Sequence, residues 1–175
     1  MKINKRKGIL FWVTGLSGSG KTSVAKNIKK KIERKYGPTI VVSGDDLRKI
    51  FNFKSYSLKE RILLSKKFNK FCKYITDQKI NLIFAVIGMF DRMRSWNRKN
   101  IENYLEIYIK ADIKKIIKLK KKKIYLKKGK VGPIMGINIK PEFPKNPHIK
   151  IQNNFNQSIS KISDNIFKQI LKKLN

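Results

Sequence analysis

Eight residues near the start of the sequence have the types and the spacing that suit polyphosphate binding. The segment Gly15-Leu16-Ser17-Gly18-Ser19-Gly20-Lys21-Thr22 is a full match to the pattern G-x-x-x-x-G-K-[ST]. In this pattern the glycines let backbone N–H groups turn toward phosphates, the lysine adds a positive charge, and the threonine hydroxyl reaches a magnesium ion. A chance match is the alternative, but the pattern lies between a predicted strand and a predicted helix, which is the context that the chemistry requires. The segment therefore predicts binding of ATP and Mg²⁺ by Gly15, Ser17, Gly18, Ser19, Gly20, Lys21 and Thr22.

A second group of charged residues, Asp45, Asp46 and Arg48, follows the second predicted strand. Ligands of open α/β sheets bind beyond the carboxyl ends of the strands, so this loop is expected beside the phosphates. A carboxylate there can orient the magnesium ion or accept a proton from an attacking hydroxyl, and Arg48 can hold an anionic acceptor. The structural alternative is that Asp45 or Asp46 caps the following helix. The spacing alone does not decide between them.

A lysine-rich stretch at 118–130 leads into a segment rich in glycine and proline that ends near residue 147. The functional interpretation is a basic lid over about 118–147 that covers phosphates and excludes water during transfer. The alternative is a solvated charged surface. Arg92, Arg94 and Arg98, which follow the third predicted strand, are also placed to meet anions.

The elements that must position these residues alternate along the chain. Apolar runs predict strands at 9–14, 39–42, 82–87, 104–109 and 148–151. Helical patterns are predicted at 21–36, 57–78 and 159–174, with a short helix around 95–103 and another that Asp112 can cap. This alternation predicts one α/β domain over residues 1–175, with a three-layer P-loop kinase fold in which helices flank a mostly parallel sheet.

The composition narrows the class of protein. Lys and Arg number 43 against 11 Asp and Glu, so the formal net charge is +32. Either the surface collects anions or the lysines reflect mutational drift, and the charge alone names no partner. The single cysteine, Cys72, excludes an intrachain disulfide and is interpreted as a packing residue. No apolar run approaches the length of a membrane span, so a cytoplasmic protein without a membrane partner is expected.

Several segments, in the right order, resemble the adenylylsulfate kinase family. They are the phosphate-binding segment at 15–22, the box at 43–48, the pair Glu60-Arg61, residues 85–98, the run Lys122-Lys123-Ile124-Tyr125, the pair Gly136-Ile137, and Glu142 with residues 144–147. The breadth of this correspondence, which covers nearly the whole chain, is more persuasive than any single motif.

The resemblance implies ATP-dependent phosphorylation of the 3′-hydroxyl of adenosine 5′-phosphosulfate, a step of sulfate assimilation. It implies that Lys21 and Asp45 are catalytic and that Thr22 and Asp45 hold the metal. The substrate-binding residues that it implies are Asp45, Arg48, Arg61, Lys122 and Ile137.

The chain departs from the family's pattern mainly on the acceptor side. Leu64 stands where the family has asparagine, and Lys66-Lys67 replace two arginines. Ser43 replaces an aspartate, and Gly88 replaces a serine, which excludes a phosphoserine intermediate there. The alternative function is therefore a small-molecule kinase of the same fold acting on a different anionic acceptor. A nucleic-acid-binding P-loop protein is a rival on charge alone, but the sequence shows no recognition helix, zinc ligands or stacking platform. A homodimer and a sulfurylase partner stay open.

Overall fold

The strands of the protein form one parallel sheet. The computed structural model describes residues 3–119, 125 and 132–174. In chain order the strands are β1 (Leu10–Thr14), β2 (Thr39–Ser43), β3 (Asn81–Val86), β4 (Tyr104–Lys110) and β5 (Ile149–Gln152). They lie side by side in the order β2-β3-β1-β4-β5, and each of these pairings is parallel. Because the strands run the same way, their carboxyl ends meet at one edge of the sheet, where ligands of such folds bind.

Helices cover both faces of this sheet. They are α1 (Lys21–Tyr36), α2 (Gly44–Ile50), α3 (Leu58–Asp77), α4 (Asp91–Asn100), α5 (Ile113–Lys118) and α6 (Ile159–Leu174). Alternate residues of β1 show the two layers, because Phe11 packs in the core shared with α1 and α6, whereas Trp12 packs in the core shared with α2, α3 and α4. The predicted three-layer α/β fold with a mostly parallel sheet is confirmed.

Two predicted boundaries were wrong. Residues 43–46 were expected to be a loop, but α2 already begins at Gly44. The short helix expected around 95–103 is α4, which begins at Asp91. Its buried residues are Met93, Arg94 and Asn97, so two of the three are polar and the apolar periodicity of a packed helix is missing from the sequence.

Part of the predicted lid lies outside the described residues, namely 120–124 and 126–131. Residues 132–148, here called the connecting segment, lead to β5. They form no helix or strand, and Met135 and Ile139 join in an isolated bridge. This agrees with the expectation of irregular structure in this glycine- and proline-rich stretch. Across the described ranges, we find no helix that is both long and apolar enough to span a membrane.

Candidate active site

Residues 15–20 of the glycine-rich segment form a turn between β1 and α1 at the carboxyl edge of the sheet, and Lys21 and Thr22 begin α1. Gly20 is the N-cap of α1 and has φ 95°, a left-handed conformation that favours glycine, and no side chain caps this helix. No N-cap side chain occupies the start of α1, and the helix dipole favours negative charge there. Lys21 Nζ donates to the carbonyl oxygen of Leu16 at 3.2 Å, which holds the ammonium group over the loop. This geometry suits a polyphosphate.

Asn153, which the sequence analysis missed, ties the end of β5 to the same loop. It is buried, and its Nδ2 donates to the carbonyl oxygen of Ser19 at 3.0 Å. Its Oδ1 accepts the N–H of Phe155 at 2.9 Å, which supports Phe155 in a left-handed conformation with φ 64°. Both residues line the cavity described below. Their place just after β5, at the same edge of the sheet as the loop, is the signal that could have identified them.

The start of α2 separates the roles of the two neighbouring aspartates. Ser43 is the N-cap, its hydroxyl accepts the N–H of Asp46 at 3.1 Å, and the Asp46 carboxylate accepts the N–H of Ser43 at 2.8 Å. This capping box explains Asp46 as a structural residue. The hydrogen bonds from Ser43, with smaller contributions from Lys26 and Lys49, lower the pKa of the Asp46 carboxyl. Asp45 lies on the other side of the helix start and lines the cavity.

Two arginines lie on one tyrosine at the far side of the cavity. The guanidinium carbons of Arg48 and Arg61 lie 4.4 and 5.3 Å from the ring centroid of Tyr56. Arg48 donates to the carbonyl oxygen of Ser55 at 2.8 Å, and Arg61 donates to those of Tyr56 and Pro133, both at 2.9 Å. Burial and the charge of Arg48 lower the pKa of Arg61, and Asp45 opposes that shift. A concentration of positive charge stacked on an aromatic face is suited to an anionic group.

A single cavity of about 410 Å³ joins these two groups of residues. At one side it is lined by Ser17, Gly18, Gly20, Lys21 and Thr22 of the loop, and at the other by Asp45, Arg48, Tyr56 and Arg61. Apolar side chains form the wall between the two arginines and the sheet, and they include Leu64, Phe68, Met89, Phe90, Met93 and Met135. A small molecule with an anionic end and a flatter, less polar body matches this lining.

Most residues predicted for the site lie on this cavity, but not all of them. Gly15 and Ser19 are buried within the loop and are not among the residues that line the cavity. Ile137 is 52% exposed and also lies off the cavity, and Lys122 lies outside the described residues. Tyr56 was not predicted, although an aromatic residue between two candidate anion-binding arginines is a signal that could have singled it out.

The residues that depart from the family's pattern are placed differently. Leu64 is 1% exposed and lines the cavity, so an apolar group stands there in place of the amide that the family resemblance implies. Lys66 and Lys67 are exposed and do not line it, and Lys67 Nζ lies 5.1 Å from the Phe53 ring centroid. Gly88 has φ 53° and lies so close to Trp12 that a side chain would contact the indole.

The expectation that Arg92, Arg94 and Arg98 meet anions finds no support in the geometry. Arg92 is exposed, and none of the three lines the cavity. Arg94 is 1% exposed and is bonded to protein groups, and Arg98 pairs with the buried carboxylate of Glu106 at 2.6 Å. Burial raises the pKa of Glu106, and the charges of Arg98 and Arg94 oppose that shift. Arg94 and Arg98 therefore compensate the buried charge of Glu106.

The pattern of the whole chain decides the family. Residues 7–152 match the model of a family described as adenylylsulphate kinase. The chain belongs to the adenylylsulphate kinase family. It is accordingly a phosphotransferase with a P-loop fold. The fold class and the family resemblance that were both inferred from the sequence are confirmed.

Individual members of this family and its neighbours differ in what they act on. The chain is 34% identical over 143 residues to a cytidine diphosphoramidate kinase of Campylobacter jejuni, covering 81% of this chain and 84% of the relative. It is 32% identical over 176 residues to an adenylyl-sulfate kinase of Clostridium acetobutylicum, covering 97% and 86%. The structure of an APS kinase of Mycobacterium tuberculosis, in complex with AMPPNP and APS, shares the fold with a TM-score of 0.84 at 23% identity, covering 94% of this chain and 98% of that one. Family membership therefore settles the class of reaction and leaves the acceptor to be decided.

Proposed function

We propose that the protein transfers the γ-phosphoryl group of ATP to a hydroxyl group of a nucleotide that carries an anionic tail on its 5′ side. The observation that carries this proposal is the single cavity that joins the P-loop residues to the pair of arginines on Tyr56. Donor and acceptor can then lie in one cavity, and much of the catalysis in phosphoryl transfer consists of bringing them together and neutralising charge.

The donor end of the cavity suits a magnesium-bound triphosphate. The start of α1 and the ammonium of Lys21, which both border the cavity, would bind the β- and γ-phosphates. Thr22 and Asp45 both line the cavity and offer the hard oxygen ligands that Mg²⁺ prefers, together with phosphate oxygens. When bound there, the metal ion would neutralise charge that develops on the transferred group. Among the described residues, no group of three or more His, Cys, Asp or Glu could hold a metal ion, so the phosphates are expected to supply part of its shell.

The acceptor end suits a nucleotide with two linked anionic centres. Arg48 and Arg61 are placed to hold such a tail by charge-assisted hydrogen bonds. Asp45 lines the same cavity and is near enough to Arg61 to affect its pKa, so its carboxylate is suited to orient the attacking hydroxyl and accept its proton. The apolar wall around Leu64 and Phe68 is suited to the base and the sugar, from which it excludes water.

Two acceptors of this class are candidates. Adenylyl sulfate is the acceptor that the family resemblance implies and that gives the family its description. Cytidine diphosphoramidate is the acceptor named for the Campylobacter relative, which is 34% identical to this chain. Leu64 weakens the support for the first, because a buried leucine that lines the cavity stands where the family resemblance implies asparagine and cannot form an amide's hydrogen bonds. Both tails carry negative charge on two linked centres, so the two arginines suit either one.

A direct competition between the acceptors tests the proposal. The purified protein is given Mg·ATP with adenylyl sulfate, with cytidine diphosphoramidate, or with equal amounts of both, and phosphorylated products are identified by mass spectrometry. We expect phosphorylation of at least one acceptor and a higher kcat/KM for cytidine diphosphoramidate. An Arg61→Met variant should lose kcat/KM for the preferred acceptor while its affinity for ATP stays within about twofold, since Arg61 lies at the acceptor end. If neither nucleotide is phosphorylated, the proposed acceptor class is wrong.

A further inference from the structure

Arg94 is buried against the turn between β3 and α4, and it is not itself among the residues that line the cavity. Its side chain is 1% exposed, which is rare for a charged group unless it is fully paired. The guanidinium forms an ion pair with Asp91, on its own helix, and lies 3.6 Å from the carboxylate of Glu106 on β4. These two carboxylates compensate the positive charge of Arg94. Other N–H groups of its planar guanidinium stay available for hydrogen bonds.

Those N–H groups bond to backbone carbonyls of two segments that form walls of the cavity. Nη1 donates to the carbonyl oxygen of Gly88 at 2.7 Å, in the turn between β3 and α4. Nη2 donates to the carbonyl oxygen of Glu142 at 2.8 Å, in the connecting segment. The turn supplies Gly88, Met89 and Phe90 to the cavity, and the connecting segment supplies Met135.

Further bonds join the same two segments around Arg94. The N–H of Glu142 donates to the carbonyl oxygen of Met89 at 2.9 Å, and the Glu142 carboxylate accepts the N–H of Asp91. The connecting segment also reaches the anion-binding end of the cavity, where the carbonyl oxygen of Pro133 accepts a bond from Arg61. A shift of the turn or of the connecting segment would therefore be passed to the groups that surround the acceptor.

We infer that Arg94 is a positioning residue, which fixes the turn between β3 and α4 to the connecting segment and so sets the shape of the acceptor end of the cavity. The planar fork is what makes this possible, because one side chain reaches two carbonyls in different segments while its charge stays compensated by Glu106 and Asp91. A lysine at this position would keep the charge but could not reproduce the two directed bonds. The inference rests on the proposed function for its catalytic consequence.

Arg98 offers a matched control. It pairs with the same buried carboxylate, Glu106, at 2.6 Å, and it donates to the connecting segment at the carbonyl oxygen of Asn146. Within the part of the chain that the structure describes, it forms no hydrogen bond to residues 88–91, and it does not line the cavity. Arg98→Met therefore removes one partner of Glu106 without releasing the turn.

The kinetic test uses Arg94→Lys, Arg98→Met and the double variant Arg94→Met with Glu106→Gln. The double variant removes the buried carboxylate charge together with its partner, so that an unpaired buried charge cannot explain its phenotype. With the acceptor that the wild-type protein phosphorylates, we expect Arg94→Lys and the double variant to raise the acceptor KM by about tenfold or more, with the KM for ATP within about twofold. Arg98→Met should leave both KM values within about twofold of wild type. The inference would be overturned if Arg94→Lys or the double variant kept the wild-type acceptor KM. It would also be overturned if Arg98→Met raised that KM as much as they do.

Hydrogen exchange measured by mass spectrometry tests the same inference without any acceptor. In the double variant we expect peptides covering residues 88–93 and 134–142 to exchange about tenfold faster or more, while peptides from α1 and β1 exchange as in wild type. A uniform acceleration over the whole chain would mean a general loss of stability and would contradict a positioning role. If the wild-type protein phosphorylates neither acceptor, the proposed function fails, whereas the exchange pattern still decides whether Arg94 joins the two segments.

Discussion

Gly88 stands where the family resemblance implies a serine, and the structure indicates why a side chain is not accommodated at this position. A Cβ atom placed on Gly88 would lie 3.0 Å from Cζ2 and 3.1 Å from Nε1 of Trp12, and 3.2 Å from Oγ1 of Thr14. Trp12 cannot move aside easily, because it is fully buried and its ring lies 5.3 Å from that of Phe84. The backbone of Gly88 also has φ 53°, which disfavours any residue with a Cβ atom.

Two costs therefore add in the variant Gly88→Ala. The left-handed backbone costs about 1–2 kcal/mol for a residue with a Cβ atom. Forcing one more carbon against a buried indole costs about 1–3 kcal/mol, since a packed core accommodates extra volume poorly. The free energy of unfolding, measured with urea, should fall by about 2–5 kcal/mol in total.

A double-mutant cycle separates these two costs. Trp12→Phe removes both indole atoms that lie nearest to the added carbon, so the steric part should disappear in the Gly88→Ala variant of that background. We expect a coupling free energy of about 1–3 kcal/mol between the two sites. The backbone part can be measured at Asn52, an exposed residue that also has φ 53°, as the difference in stability between Asn52→Gly and Asn52→Ala. If Gly88→Ala costs no more than that difference, or if the coupling is within about 0.3 kcal/mol of zero, the explanation is refuted.

Three further predictions concern the P-loop lysine, the start of α2 and the histidine beside β4. Lys21→Ala should lower kcat by about a hundredfold or more in a coupled assay of ADP formation, with an unchanged circular dichroism spectrum, because under the proposed function it removes a charge that stabilises the transferred group. Ser43→Ala should lower the free energy of unfolding by about 1 kcal/mol at neutral pH, and Ser43→Asp should retain most of it. The pKa of Asp46 is lower in the folded than in the unfolded protein, so its contribution to the free energy of unfolding is present above about pH 4 and is lost as the pH falls further. The loss of stability caused by Ser43→Ala should therefore be smaller at pH 3. Burial, helped by nearby positive charge, lowers the pKa of His148, whose Nδ1 accepts the N–H of Glu106 at 2.9 Å. The contribution of His148 to the free energy of unfolding is therefore present above about pH 6.5 and is lost as the pH falls through the folded-state pKa. The stability of His148→Gln should lack that part of the pH dependence, and urea titrations from pH 7.5 to 5 measure it.

Much of the fold could be predicted because local patterns and tertiary structure agree over most of the chain. The β-branched and aromatic runs before residues 15 and 43 are strands, and the stripe from Ile159 to Leu174 is the buried face of α6. The prediction misplaced the start of α4, where Arg94 and Asn97 take core positions that apolar residues usually occupy. No periodicity rule finds a buried arginine, because its burial depends on Glu106, which arrives from a strand that follows in the chain.

The sequence by itself determined the phosphate-binding loop, because a strand, a glycine-rich turn, Lys21 and a helix are all local in the chain and their chemistry follows from the order of the residues. It also determined that an aspartate and an arginine follow β2. Only the tertiary structure decided that Asp46 serves the capping box while Asp45 faces the cavity, since the two adjacent side chains leave the helix in different directions. It likewise brought Tyr56 between Arg48 and Arg61 and placed Asn153 against the loop, since the sheet joins the ends of distant strands at one edge.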